Sequence, residues 1–220
     1  MTPTSGRFVT LEGGEGAGKS TQLTRLKARL EAEGIEVVAT REPGGSRRAE
    51  AIRSFVLSGQ ALPHGAFAEL LLFASARADH VETLIRPALA RGAYVLCDRF
   101  IDSTRVYQGR LGTAGADTVA ALERIAVGRT RPDLTLVLDV PAKLGAVRAG
   151  QRRELMGTAL DRFEREGLAF HTRVREGFLA IAAEEPERCA VVDASRGPDA
   201  VERAIWAELS GRLLAAAPEL

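Results

Sequence analysis

The chain has 220 residues, 45% of them hydrophobic, and a formal net charge of +1. That length and apolar content suit one globular domain, residues 1–220, while near-neutrality argues against a broad field drawing the chain to nucleic acid or to an anionic membrane. No apolar run approaches a membrane span and residues 1–6 lack a signal-peptide pattern, so a soluble, cytoplasmic protein with no membrane or nucleic-acid partner is expected.

Apolar runs of strand length at 7–11, 36–40, 93–97, 134–140 and 189–192 alternate with helical patterns at 19–33, 47–58, 66–91, 117–127, 142–151, 159–184 and 199–216. This alternation predicts βαβ units around a parallel sheet, whose ligands bind beyond the C-terminal strand ends. Between the first strand and first helix stands Gly13-Gly14-Glu15-Gly16-Ala17-Gly18-Lys19-Ser20-Thr21, which fits G-x-x-x-x-G-K-[ST]. Leu23, Leu26 and Leu30 follow at helical spacing, and Gly34 ends the pattern. A strand, a glycine-rich turn and a helix N-terminus in succession converge backbone N–H groups and the helix dipole on phosphate. Lys19 would reach the β- and γ-phosphates of a nucleoside triphosphate, and the Ser20 hydroxyl would hold Mg²⁺. Only 3 of the 30 basic residues are lysines, so a lysine here departs from the habit of the chain. A carboxylate inside such a loop is repelled by triphosphate, so Glu15 should point away from it, toward a hydroxyl of a second substrate.

After the second strand comes Arg41-Glu42-Pro43-Gly44-Gly45, which by itself reads as a Pro-Gly turn with solvated charges. Asp98-Arg99-Phe100 follows the third strand. Asp98 stands where P-loop proteins place the carboxylate that organises Mg²⁺, and Arg99 would offer a planar fork to a second phosphate; a buried structural Asp–Arg pair is the alternative. Arg148, Arg152 and Arg153 fall in a glycine-punctuated stretch after the fourth strand, with Arg148 and Arg152 on one helical face. They read either as a lid over polyphosphate, at about residues 143–160, or as a solvated basic face. Along the long helix Phe163, Phe170, Val174, Phe178 and Ile181 share a face. Cys97 and Cys189 lie in buried strands and read as reduced core residues; His64, His80 and His171 are scattered and suggest no zinc site.

Taken together, residues 11–21 and 40–45, Asp98-Arg99-Phe100-Ile101-Asp102-Ser103-Thr104 running on to Tyr107-Gln108-Gly109, Asp161-Arg162-Phe163-Glu164, and Val192-Asp193-Ala194-Ser195 resemble the bacterial thymidylate kinases. The resemblance runs from Arg7 to about Ala204. It implies a three-layer α/β/α P-loop fold with a five-stranded parallel sheet in the order 2-3-1-4-5 and a helical lid. It also implies phosphorylation of dTMP to dTDP by ATP with Mg²⁺, in a homodimer. The same resemblance implies that Phe73 stacks on thymine, that Arg77, Thr104 and Gln108 contact the base, and that Tyr107 lies under the sugar and disfavours a 2′-hydroxyl. Read without it, Phe73 is a core residue and Arg77 a surface charge. Glu15 would take the 3′-hydroxyl, Arg53 and Arg99 the dTMP phosphate, and Ser20 and Asp98 the Mg²⁺. Two departures stand out. Gly16 occupies a position where some relatives carry a basic residue, so the transition-state cation would come from Arg148, Arg152 or Arg153; and Phe100 replaces a tyrosine of many relatives, which leaves no hydroxyl there. A kinase for UMP, CMP or a purine monophosphate, or a nucleotide-dependent switch, would also use a P-loop; the chain contains no Asn, and so no N-K-x-D guanine motif.

Overall fold

The computed structural model of the chain describes residues 6–157 and 162–214. Strands β1 (Phe8–Glu12), β2 (Val37–Arg41), β3 (Tyr94–Asp98), β4 (Leu134–Asp139) and β5 (Cys189–Asp193) form one parallel sheet in the order β2-β3-β1-β4-β5, as the resemblance implied. The strands run one residue further than their apolar runs at Glu12, Arg41, Asp98 and Asp193. These polar side chains stand at strand ends, where hydropathy fades before the backbone leaves the sheet. β4 stops short of Val140, the residue before Pro141.

Side-chain alternation along the strands gives the sheet two apolar faces. Val9, Leu11, Leu96, Leu136 and Leu138 face Leu23, Leu26 and Leu30 of α1 (Lys19–Ala32) and Val201, Ile205 and Leu209 of α9 (Pro198–Leu209). On the opposite face Phe8, Val95 and Cys97 meet Val81, Ile85 and Ala88, with Phe8 edge-on to Phe100 at 4.8 Å between ring centres. Both faces are therefore covered, which is why β1 is buried along its whole length. Cys97 and Cys189 are both buried free thiols.

The helix expected over 66–91 is divided. α3 (Gly65–His80) passes through a π-helical turn, Val81–Ile85, into α4 (Arg86–Ala90). Pro87 has no N–H to give to the preceding turn, and the wider turn absorbs that missing bond. α2 (Arg47–Leu57) packs on α3, and α6 (Ala116–Val127) covers its other flank. α5 (Ile101–Thr104) and the π-helical turn Arg105–Arg110 that continues it have no counterpart in the expected elements. α7 (Ala142–Met156) extends past the expected end at 151, and α8 starts only after Gly167, as Leu168–Glu184. Val174, Phe178 and Ile181 of α8 share one core with Phe170, whereas Phe163 precedes the helix and packs near Phe73. Residues 158–161, and with them Asp161 and the last expected lid positions, lie outside the described residues, as do 215–216.

A buried ionic cluster ties the segment after β3 to the far side of the sheet. Asp102, with no solvent exposure, accepts from both terminal nitrogens of Arg188 (2.8 and 2.9 Å) and from Arg105 Nη1 (3.2 Å). Arg105 also pairs with Glu123 of α6 and with Glu185. Removing one member of a buried pair leaves the other charge uncompensated, which costs about 3–5 kcal/mol. Asp102→Ala should therefore lower the melting temperature by roughly 10 °C; an unchanged melting curve would show that water replaces the carboxylate at no cost.

Candidate active site

Strand order reverses about β1, which lies between β3 and β4, so a crevice opens beyond the C-terminal ends of these strands. Register brings Leu11, Arg41 and Asp98 level with one another. A cavity of about 470 Å³ lies there, lined by residues 15–21, by Arg41, Arg53, Asp98, Arg99 and Arg152, and by Phe73, Arg77, Thr104, Tyr107, Gln108 and Phe163. Of the expected site residues, Arg148 and Arg153 do not line it, nor do Gly13 and Gly14 at the base of the loop.

The phosphate loop folds as its glycines require. Gly18 caps α1 in the left-handed region without a side-chain hydrogen bond, so the first N–H groups of the helix are left for an anion. Gly16 has φ +67°, and a Cβ there would come within 2.0 Å of the Gly145 carbonyl oxygen in α7. A Cβ on Gly145 would in turn meet the Glu15 carbonyl at 2.4 Å. α7 and the loop thus touch backbone to backbone. Lys19, 7% exposed, donates from Nζ to the Gly13 and Gly14 carbonyls at 3.0 and 2.8 Å. Burial and the neighbouring Arg99 bring its pKa down to about 8, against the pull of Glu15, Asp98 and Glu12.

Ser20 Oγ donates to Asp98 Oδ2 at 2.7 Å. A hydroxyl beside a carboxylate at the loop mouth suits Mg²⁺, which takes one or two protein oxygens and otherwise water and phosphate. No group of three or more His, Cys, Asp or Glu among the described residues could hold a metal ion. Arg99 is the one non-glycine at positive φ (71°) among the described residues. Its guanidinium donates to Gly13 O (3.1 Å), Ser103 Oγ (3.2 Å) and Glu15 Oε1 (2.6 Å). Burial alone would raise the Glu15 carboxyl, but Arg99, Lys19 and Arg152 hold it at about 2.

Away from the loop aromatic side chains join the charged ones in lining the cavity. Phe73, 8% exposed, lies one helical turn from Arg77, which is 5% exposed and so is not the surface charge its position alone suggested. Arg77 Nε donates to Glu42 Oε2 (2.7 Å), and Nη2 donates to Phe100 O (3.1 Å) and Thr104 Oγ1 (2.9 Å). Glu42 is likewise not a solvated turn charge: it is 5% exposed and bonded also to His80 Nδ1 at 3.0 Å. His80 Nε2 lies 2.8 Å from Thr40 Oγ1. Burial among Arg77, His80 and the cavity floor outweighs the local Pro-Gly turn signal. Arg53 Nη1 donates to the Pro43 carbonyl at 2.7 Å. Gln108 Nε2 donates to Glu69 Oε1 at 3.2 Å. The Tyr107 ring meets Phe163 edge-on, and burial raises its hydroxyl to about 12.

The three arginines of the expected lid take different places. Arg148 donates to the carbonyls of Ala194 (2.6 Å) and Ser195 (3.0 Å) in the turn after β5. Arg152 overhangs the main cavity, 3.2 Å from Glu164 and 3.8 Å from Glu15. Arg153 lines a separate cavity of about 160 Å³ with His171 and Arg175.

Four buried or half-buried groups that shape the site were given no site role by the sequence: Glu12, Glu42, Glu69 and Ser103. Glu12, with no solvent exposure, accepts from Phe100 N (2.7 Å), Ser103 N (3.3 Å) and Ser103 Oγ (2.7 Å). An acidic residue closing a strand with no other charge, in which only Thr10 is polar, was the available signal for it. Glu69 offered none, since a glutamate on a helix usually faces solvent.

The family model for thymidylate kinase matches residues 11–205. A thymidylate kinase of Bradyrhizobium sp. strain BTAi1 is 54% identical over 97% of this chain and 94% of its own length. One from Rhodopseudomonas palustris strain TIE-1 is 55% identical over 95% and 90%. Among solved structures, the thymidylate kinase of Ehrlichia chaffeensis superposes with a TM-score of 0.73 at 31% identity, covering 93% of this chain and 99% of that one. By its sequence along nearly its whole length, and by a fold that places a phosphate loop beside a second, arginine-lined recess, the chain belongs to the thymidylate kinase family.

Proposed function

We propose that the enzyme transfers the γ-phosphoryl group of ATP to the 5′-phosphate of dTMP, giving ADP and dTDP, in the cytoplasm. One observation carries this reading in its residue detail. A single cavity joins the phosphate loop, at Lys19 and Ser20, to a recess with arginines 53 and 99 at its near side and Phe73, Arg77 and Gln108 beyond. An acceptor phosphate is already nucleophilic at neutral pH, so a bond from its oxygen to the γ-phosphorus can form as the bond to the β-bridging oxygen breaks, without a strong general base. Positioning and charge neutralisation then supply the catalysis.

In this arrangement Lys19 leaves the loop carbonyls for the phosphates, and Arg99 and Arg53 grip the acceptor phosphate. Glu15 receives the 3′-hydroxyl, and Tyr107 closes the sugar side. Mg²⁺, held by Ser20 and by Asp98 directly or through water, would neutralise charge on the bridging phosphates. Arg152 is the lid cation that faces the reacting groups; Arg148 fastens the lid to the turn at 194–195. Association as a homodimer is supported by Phe67 (56% exposed) and Leu71 (40%), one turn apart on α3, and by Ile125 (79%) on the adjoining α6.

The first test is ADP release with Mg-ATP against dTMP, dUMP, UMP, CMP, AMP and GMP. Clear preference for dTMP is expected; release independent of any acceptor would mark an ATPase instead. Lys19→Ala should lower turnover by ~10²-fold or more, while dTMP still binds in calorimetry; unchanged turnover removes Lys19 from the mechanism. Arg152→Ala should cost up to ~10³-fold in turnover, as for an arginine finger, and at least ~10-fold more than Arg153→Ala. Equal losses at the two positions would contradict the choice of Arg152. Sedimentation of the wild type and of Phe67→Glu tests the dimer, which should dissociate in the variant.

A further inference from the structure

The base end of the cavity is read by groups that other buried side chains hold in place. Arg77 spends Nε and Nη2 on Glu42, Phe100 O and Thr104. Among the described residues no protein group bonds its Nη1, which remains a donor. Gln108, 6% exposed, poses a different problem, because an amide can present either its carbonyl or its NH₂ group. Here Glu69 decides. Its carboxylate is 4% exposed, pairs with Arg162 through Oε2, and faces the Gln108 amide through Oε1. An ionised carboxylate only accepts hydrogen bonds, so the amide nitrogen must turn to it, and the Gln108 carbonyl is left as an acceptor for the cavity.

We infer that Glu69 is a specificity-determining positioning residue: by locking the Gln108 amide it makes the pocket present a donor from Arg77 beside an acceptor from Gln108. The inference rests on the reading of this recess as the dTMP site. Thymine offers the complement, an O4 acceptor beside an N3–H donor. Cytosine offers the reverse, an exocyclic NH₂ beside an unprotonated N3, and would set donor against donor and acceptor against acceptor. A buried, mispaired polar group is costly, and sites built on such pairing discriminate far better than apolar pockets do. A contact that only glued α3 to the 105–110 turn would be met more cheaply by an apolar side chain, since burying a charge carries a desolvation penalty. What the carboxylate adds is that it cannot donate.

Glu69→Gln keeps the shape and removes that property, since glutamine can donate to a flipped Gln108 as readily as accept from an unflipped one. The measurement is kcat/KM for dTMP and for dCMP at saturating Mg-ATP. The dTMP:dCMP ratio should fall by ~10-fold or more, chiefly through a better KM for dCMP, with kcat for dTMP little changed. Arg162→Gln breaks the same ion pair but leaves the acceptor-only carboxylate, and should retain the wild-type ratio. Should Glu69→Gln not fold with Arg162 uncompensated, the double variant Glu69→Gln/Arg162→Gln removes both charges and should show the same fall. An unchanged ratio in a folded Glu69 variant overturns the inference, as does an equal collapse in Arg162→Gln alone. A wild type with no preference for dTMP over dCMP would instead overturn the dTMP reading, and this inference with it.

Discussion

The site depends on one buried carboxylate at the end of the central strand. Glu12 collects the N–H groups of Phe100 and Ser103 and the Ser103 hydroxyl, and so dictates how the chain leaves β3. α5 has no side-chain cap of its own at Phe100; Glu12, 88 residues earlier in the chain, takes that place. The turn also needs Arg99 at φ 71°, a conformation that costs a residue with a Cβ about 1–3 kcal/mol and persists only where its surroundings over-determine it. Here they do: Arg99 N donates to Leu11 O at 3.0 Å, and the Cys97 thiol donates to Arg99 O at 3.0 Å. Burial, with Asp102 nearby, pushes Glu12 up to about 7, so the strand end carries a group whose ionisation is itself expensive. The return is a guanidinium aimed back at the phosphate loop, and Ser103, Thr104, Tyr107 and Gln108 set on the continuing helix.

A similar economy governs the rest of the cavity. Cations that would meet anionic substrates are each already held by protein oxygens: Lys19 by loop carbonyls, Arg99 by Glu15, Arg77 by Glu42. Buried guanidinium and ammonium groups with no partner would be strongly penalised, and flexible ones would lose rotamer entropy on binding. Carboxylates placed behind the cations solve both problems and fix which N–H faces the cavity. Site polarity is therefore set as much by the acidic residues as by the basic residues that meet the ligand.

This explains what could be read from the sequence and what could not. The phosphate loop was legible because its chemistry is local: glycines, lysine and serine act within nine consecutive residues between a strand and a helix. The strand order, and the place of Asp98 at the end of β3, followed from pattern and resemblance together, since the alternation of apolar runs indicates parallel pairing without naming neighbours. That Phe73 and Arg77 line the cavity was legible only through resemblance, because a phenylalanine and an arginine one turn apart on a helix describe most amphipathic helices equally well. Glu42 was read as solvated because the Pro43-Gly44-Gly45 signal is short-range, whereas its burial comes from His80 and Arg77 on a helix some forty residues on. Glu69 and Glu12 are further cases of the same kind, in which the partner that justifies a buried charge is remote in sequence.

Helix geometry accounts for the places of the three α7 arginines. Gly145 fixes one point of α7 against the loop, because neither Gly16 nor Gly145 leaves room for a Cβ. Seven residues further on is almost two full turns at 100° per residue, so Arg152 returns to the same side, about 10 Å along the helix axis. Arg148 is rotated to one flank, where the carbonyls after β5 receive it, and Arg153 to the other, where the smaller cavity does. The glycine at position 16 and the arginine at position 152 are thus linked choices. A basic side chain within the loop would have to displace the helix that carries Arg152, while a glycine lets that helix descend until its own arginine reaches over the loop.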